Sequence, residues 1–535
     1  MANITSAGSG NSNAGSTWTG GSVPTSSDNA IIQDGHTVTQ NAAHTFKSLR
    51  VETGGTWTAD GSNHLTLSGE NDSDFALQIV DGTYNHANGT VVINNGGGGI
   101  DHAAIQGGVA NSTTGLYDLT ISGGGTTCEI YGTTTIHRNM EAGGATTVLR
   151  GNLTVNGDLA VNATLTTIFS STSYNLTVAG NTVVDGTLTG NNSTFSFGTN
   201  GVHGSTEGGC LLVNSSGTFT FGSGDVTIFS GFTAKGTEGS PNVTSTGGGD
   251  ILIKGRTNNG FMNSHNHNGT NITGDYIIDY DNSSLFDNRG GVTIDCGNFI
   301  IKHDGRTYEP WNNAAQATFK IIGNMDIQDG TFDTEYSGQD SQHLTVTGDV
   351  TVTGTLTGNA SAISMGGIKL PSGGTYNATS GTTTITNRYT GESHLWKNDG
   401  GTFNHNNGTV KFNDNDHSAV KENTFYSVEV ESNLGDYAVS FEAQGGGGNA
   451  FTILGDLTIT RGDFELVNAD DTCDIHGQTI ISGSSNSAAR FNNDKNQTAT
   501  ITHHSLVTII TGTYHVEDGA TVNMAGIRNI GGLVD

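Results

Sequence analysis

The chain has 535 residues, 81 of them Gly and only 4 Pro, and a formal net charge of −30 from 20 Lys+Arg against 50 Asp+Glu. Its wealth of Thr, Val and Ile and its 13% charged residues are the reverse of a disordered composition, and the Gly lacks the every-third spacing of collagen. No cationic cluster is present to displace counterions and no apolar run of about 18 residues to span a bilayer, so neither nucleic acid nor membrane insertion is expected.

Residues 1–60 form the first predicted element, an opening and capping module. MANITSAGSGNSNAGSTWTGG has neither a basic region nor an apolar run, so no Sec leader is expected. Residues 18–57 carry Trp18, Pro24, Asp28, Ile31-Ile32, then Gly35-His36-Thr37-Val38, and later Leu49-Arg50-Val51-Glu52-Thr53-Gly54-Gly55-Thr56. This pattern resembles the opening module of many β-helical surface and phage proteins, including the G8-type domain. The resemblance implies the start of a β-helix and carries over no catalytic residue. A first coil must hide an open end, which Trp18 is suited to cover, while Pro24 fits a loop or an edge.

Residues 61–253 and 320–535 read as solenoid. A phrase of Gly-Thr-aromatic, four residues and Gly occurs at Gly82-Thr83-Tyr84, Gly217-Thr218-Phe219, Gly374-Thr375-Tyr376, Gly401-Thr402-Phe403 and Gly512-Thr513-Tyr514. The first and fourth copies are close throughout, GTYNHANGTVVINN against GTFNHNNGTVKFND. A repeated phrase with a fixed turn offset marks a strand-turn-strand unit, and its aromatic is expected to be at least partly buried in an equivalent place each time. A second phrase fills the gaps, as in NLTVAGNTVVDGTLTG (175–190) and HLTVTGDVTVTGTLTG (343–358). Apolar residues alternate with Thr, so each strand buries one face. Gly-Asn and Gly-Asp break the run every six or so residues and are expected to supply positive φ at tight corners. These phrases look like repeats of phage fibre proteins and bacterial adhesins.

Residues 254–319 are the least regular and are expected to be loop-rich. They hold Arg306, Tyr308, Glu309 and Trp311, which fit a glycan-contacting face: the aromatics stacking on sugar rings, the charged groups bonding hydroxyls. The opposed reading is an insertion whose aromatics pack on the coil. Asp279-Tyr280-Asp281-Asn282-Ser283 alternates oxygens but lacks the Gly and Glu of an EF-hand. His265 and His267 read as solvent-facing, and His503-His504 point to opposite faces. Cys128, Cys210, Cys296 and Cys473 lack metal spacing and read as small buried apolar residues. Arg461-Gly462-Asp463 falls where its duplicate has Asn156-Gly157-Asp158, and reads as a corner.

The expected fold is therefore all-β: a parallel β-solenoid, as a right-handed β-helix of about 20–25 coils. The expected role is a structural and binding protein of a phage particle, a tail fibre, spike or capsid-surface appendage that contacts host-surface polysaccharide. No enzyme, cofactor or metal is expected. Assembly in the host cytoplasm, a virion-surface location, other virion proteins as partners and a homotrimer complete the expectation. A β-helical polysaccharide depolymerase and a bacterial cell-surface adhesin, extracellular or at the cell surface, remain open.

Overall fold

A computed structural model of the protein describes residues 2–535 except 72, 95–102, 107–114, 124–126, 145, 201–209, 238, 255–260, 263–268, 280–283, 288–291, 312–316, 336–341, 415–417, 433–437, 443–449, 467–471, 486–487, 493–498 and 517–518. Among the described residues the chain is a parallel β-solenoid, nearly all β, with its strands stacked in about 18 coils. Among the described residues the helical turns are two 3-10 segments, Gly15–Thr17 and Thr19–Gly21. The coils are fewer than expected because connections of uneven length lengthen some of them. Thr127 pairs with Thr146 and Thr146 with Thr164, steps of 19 and 18 residues; Thr187 pairs with Thr218, a step of 31.

The chain divides into two compact units, Met1–Asn258 with Met262–Asp275, and Asn259–Phe261 with Tyr276–Asp535. Of the segment expected to be loop-rich, a large part lies outside the described residues. What is described includes Val292–Trp311, a 20-residue strand in parallel register with Thr318–Asp333.

The alternating phrase corresponds to a three-sided coil. Residues 175–190 supply Leu176–Val178, Thr182–Val184 and Thr187–Thr189, and residues 343–358 supply His343–Val346, Val350–Val352 and Thr355–Thr357. Leu176 and Val178 are buried and Thr177 lies between them. In the neighbouring coil Leu153, Thr154 and Val155 sit in the same three register positions. Apolar residues therefore stack inward from coil to coil, and threonines form rows outside.

Gly323, before Asn324, and Gly462, before Asp463, have the expected positive φ, 129° and 82°, but at other Gly-Asn and Gly-Asp corners the physical reason differs from the expected one. Gly157, Gly180, Gly249, Gly274, Gly348 and Gly477 are not among the residues with positive φ. They are glycines because the neighbouring coil leaves no room for Cβ: one added at Gly180 would meet Asp158 Oδ1 at 2.4 Å, and one at Gly348 would meet Asn324 Oδ1 at 2.3 Å. The residue after each glycine closes the corner. Asn139 Oδ1 accepts the Asp158 N–H at 2.9 Å, and Asp158 Oδ1 accepts the Asn181 N–H at 2.7 Å. The same ladder runs from Asp225 through Asp250 to Asp275, and in the second unit from Asn324 through Asp349 to Gly367. Gly-Asn and Gly-Asp thus pair close approach with satisfaction of a corner N–H that would otherwise be unpaired.

The repeated aromatics all sit in strands: Tyr84, Phe219, Tyr376 and Tyr514 are buried and Phe403 is half-buried. The 27-residue spacing of the third and fourth copies is one coil, since Thr375, Tyr376 and Asn377 pair with Thr402, Phe403 and Asn404. At the start of the chain, Trp18 is 2% exposed, packs edge-on against Phe46 and donates its indole N–H to the Ser12 carbonyl at 2.8 Å.

Candidate functional site

The residues expected to contact glycan are not gathered into an exposed face. Tyr308 is fully buried, with its ring stacked on Phe332 at 5.5 Å and edge-on to Phe299 at 6.0 Å. A ring held in the core has no face left for a sugar, so Tyr308 is a core residue, as in the opposed reading in which the aromatics pack on the coil. Arg306 is exposed. Glu309 is half-buried, and burial, with the nearby Asp333 charge, raises its carboxyl above the usual range. Trp311 ends its strand in register with Asp287, and its side chain lies outside the described residues.

The remaining singled-out residues have structural surroundings. All four cysteines are buried and none is in a disulfide, and burial pushes the thiols of Cys128 and Cys210 up to about 12. Arg461-Gly462-Asp463 bends within the strand Leu457–Leu466, with Gly462 at φ 82°. Asp463 is 2% exposed and accepts both Arg490 Nε (2.8 Å) and Nη2 (2.6 Å), which removes it from solvent. His503 is buried, with Nδ1 2.9 Å from Thr479 Oγ1 and Nε2 2.9 Å from Tyr514 Oη; its neighbour His504 faces out and stacks on His476 at 4.4 Å. His265 and His267 lie outside the described residues, as does most of 279–283. Among the described residues, no group of three or more His, Cys, Asp or Glu is placed to hold a metal ion.

The site that sequence reasoning missed is a groove of about 880 Å³ on the nine-stranded parallel ladder of the first unit. In that ladder Thr120, Glu141, Ala160, Val183 and Leu212 are successive register partners. Glu141 is exposed and Ala160, Val183 and Leu212 are half-buried, so an apolar strip crosses several coils. One margin carries an anchored ion pair. Arg138 donates from Nε to Asp118 Oδ1 at 2.8 Å and from Nη2 to Oδ2, while Asp118 is only 6% exposed and the Arg138 side chain is 55% exposed. This pairing holds the guanidinium above its ordinary pKa. The Arg138 guanidinium also lies 5.1 Å from the centre of the Tyr117 ring, and His86 stacks on Tyr117 at 5.5 Å. Lys235, His64, Asn139 and Asp158 line the same groove.

The signal that could have found it lies in the close first and fourth copies of the aromatic phrase. Their turns match: Ala87 and Asn88 have φ 39° and 65°, Asn406 and Asn407 have φ 49° and 59°. His86 stacks on Tyr117 as His405 stacks on Tyr426, at 5.5 and 5.7 Å. One coil on, the Arg138 N–H bonds the Tyr117 carbonyl as the Gly455 N–H bonds that of Tyr426. The two modules are equivalent up to the groove margin and differ there. Asp118 and Arg138 of the first correspond to Ser427 and Gly455 of the second.

No family model, curated protein or solved structure matches this chain.

Proposed function

We propose that the protein is a structural and binding component of a phage particle, a tail fibre, spike or capsid-surface appendage, that holds a host-surface glycan without turning it over. The observation that carries the binding part is the groove of the first unit, with an apolar strip flanked by hydrogen-bonding side chains, the composition expected of a ligand site. Its carboxylates already have partners. Asp118 holds Arg138, Glu141 accepts from Asn162 Nδ2 at 2.9 Å, and Asp158 accepts the Asn181 N–H. Engaged in these bonds, the carboxylates are placed to orient the groove's donors toward a ligand.

The particle part is supported by the resemblance of residues 18–57 to the opening modules of β-helical phage and surface proteins. A virion-surface location, assembly in the host cytoplasm, contacts with other virion proteins and closed three-fold association belong to the same reading.

Mass spectrometry of purified particles from the phage that encodes the chain tests the particle part. The protein is expected among the virion components. Its absence from particles together with its recovery from a bacterial cell surface would replace the phage reading by an adhesin. Release of reducing ends from host polysaccharide by the purified protein would replace the binding reading by a depolymerase.

A further inference from the structure

We infer that the groove of the first unit binds an uncharged saccharide chain lying across the coils, and that Arg138, positioned by Asp118, is its specificity-determining residue. This deepens the binding reading above and rests on it.

Asp118 Oδ1 accepts the Asn139 N–H at 3.0 Å, and at the same corner of the second module Ser427 Oγ accepts the Asp456 N–H at 3.1 Å. A serine therefore suffices to close this corner. The second module also does without an arginine, having Gly455 there. The fold thus has no need of the Asp118–Arg138 pair, and a buried carboxylate that holds an exposed guanidinium in one orientation has the arrangement of a presented donor. Two of the five guanidinium N–H groups point at Asp118; the fork geometry leaves others for acceptors in the groove.

Ala160, Val183 and Leu212 lie on successive coils, spaced by about 4.8 Å along the ladder, comparable with the length of one sugar ring. An apolar strip with that repeat suits the C–H faces of consecutive pyranoses, and Arg138, Glu141, Asn139 and Lys235 at the margins suit their hydroxyls. The charge of the ligand follows from the site. The two groove cations, Arg138 and Lys235, face three acids, Asp118, Glu141 and Asp158, on a protein of formal net charge −30. A polyanionic chain would meet repulsion on approach and no surplus of cations on arrival.

The test is built into the duplication. The double variant Asp118→Ser, Arg138→Gly gives the first module the residues of the second, so it is expected to fold with an unchanged β-sheet circular dichroism spectrum. Wild-type and variant full-length protein are applied to an array of neutral hexose oligosaccharides beside sialylated, sulfated and uronate-bearing ones. Wild type is expected to bind members of the neutral class only, and the variant to bind them at least tenfold more weakly. A second variant, Val183→Lys, charges the apolar strip at an already half-exposed position and is expected to weaken the same signals. Binding confined to acidic glycans, equal binding by all three proteins, or no binding by wild type overturns the inference. Those outcomes leave the particle reading intact if the protein is found in virions. Neutral-glycan binding by a protein absent from virions sinks the particle reading alone.

Discussion

Tyr376 and Phe403 are register partners on successive coils, their ring centroids 5.8 Å apart. Trp396 meets both, at 5.8 Å from Tyr376 and 4.7 Å from Phe403, and the Tyr376 hydroxyl lies 2.7 Å from Thr383 Oγ1. A repeat in the sequence has become a physical stack in the core. Tyr376→Ala empties a fully buried site and is expected to cost about 3–5 kcal/mol, whereas Phe403→Ala, at a half-buried site, should cost less. Denaturant unfolding followed by tryptophan fluorescence reads this directly, because Trp396 borders both rings. Equal losses for the two variants would contradict the burial difference.

The corner ladder predicts a contrast between two glycines. A Cβ at Gly180 would lie 2.4 Å from Asp158 Oδ1 and 2.7 Å from the Gly157 carbonyl, whereas one at Gly239 meets nothing within 4 Å, and neither glycine has positive φ. Gly180→Ala is expected to destabilise by more than about 1 kcal/mol and Gly239→Ala to stay within about 0.5 kcal/mol of wild type. Similar melting temperatures for both variants would show that coil-to-coil approach is not what selects glycine at these corners.

Ala87 holds φ 39° where the equivalent residue of the other module is Asn406. A side chain other than Gly or Asn is strained there, by roughly 1–2 kcal/mol for an ordinary residue. Ala87→Asn, which copies the second module, should therefore stabilise the first unit, and Ala87→Gly should gain about 0.5–1 kcal/mol after the entropy of the unfolded chain is counted. A lower melting temperature for both variants would refute the strain.

His503 gives the second unit a pH dependence. Burial, with a smaller contribution from His504, lowers its pKa to about 4. The unfolded chain takes up a proton near pH 6.5 and the folded one only near 4. The neutral-His contribution is therefore complete above about pH 6.5 and is lost as the pH falls toward 4, roughly 3 kcal/mol in all. His503→Gln is expected to lower stability at pH 7, because the Thr479 and Tyr514 contacts are disturbed, but to flatten the loss between pH 6.5 and 4. A thermal-midpoint profile of the variant parallel to that of wild type would contradict this.

The solenoid itself was legible in the sequence. Leu176-Thr177-Val178 alternates because only one side of a strand faces the core, and the phrase returns because each coil rests on one like itself. The burial of the five repeated aromatics followed from their fixed offset to the next glycine. His503 and His504 pointed to opposite faces because strand side chains alternate. The glycan face around Tyr308 and Trp311 failed at Tyr308: past the register irregularity between Lys302 and Thr307, the local alternation of Thr307, Tyr308 and Glu309 turns the ring into the core beside its register partner Phe332.

What the sequence determined by itself is what depends on near neighbours along the chain: strand, face, corner and repeat. What only the tertiary structure decided is what depends on which coil lies against which. Gly180 looks like a turn residue in the sequence, yet it is a glycine because Asp158 and Gly157 of the neighbouring coil fill the space where a Cβ would go. Asp118 and Arg138 are 20 residues apart with nothing in the chain to join them; one turn of the solenoid places them at one corner. The groove they border is written across strands from Asp118–Ile121 to Leu211–Val213, and connections of unequal length set which side chains come into line. That register is a property of the stacked coils, so it became visible only with the coils in place.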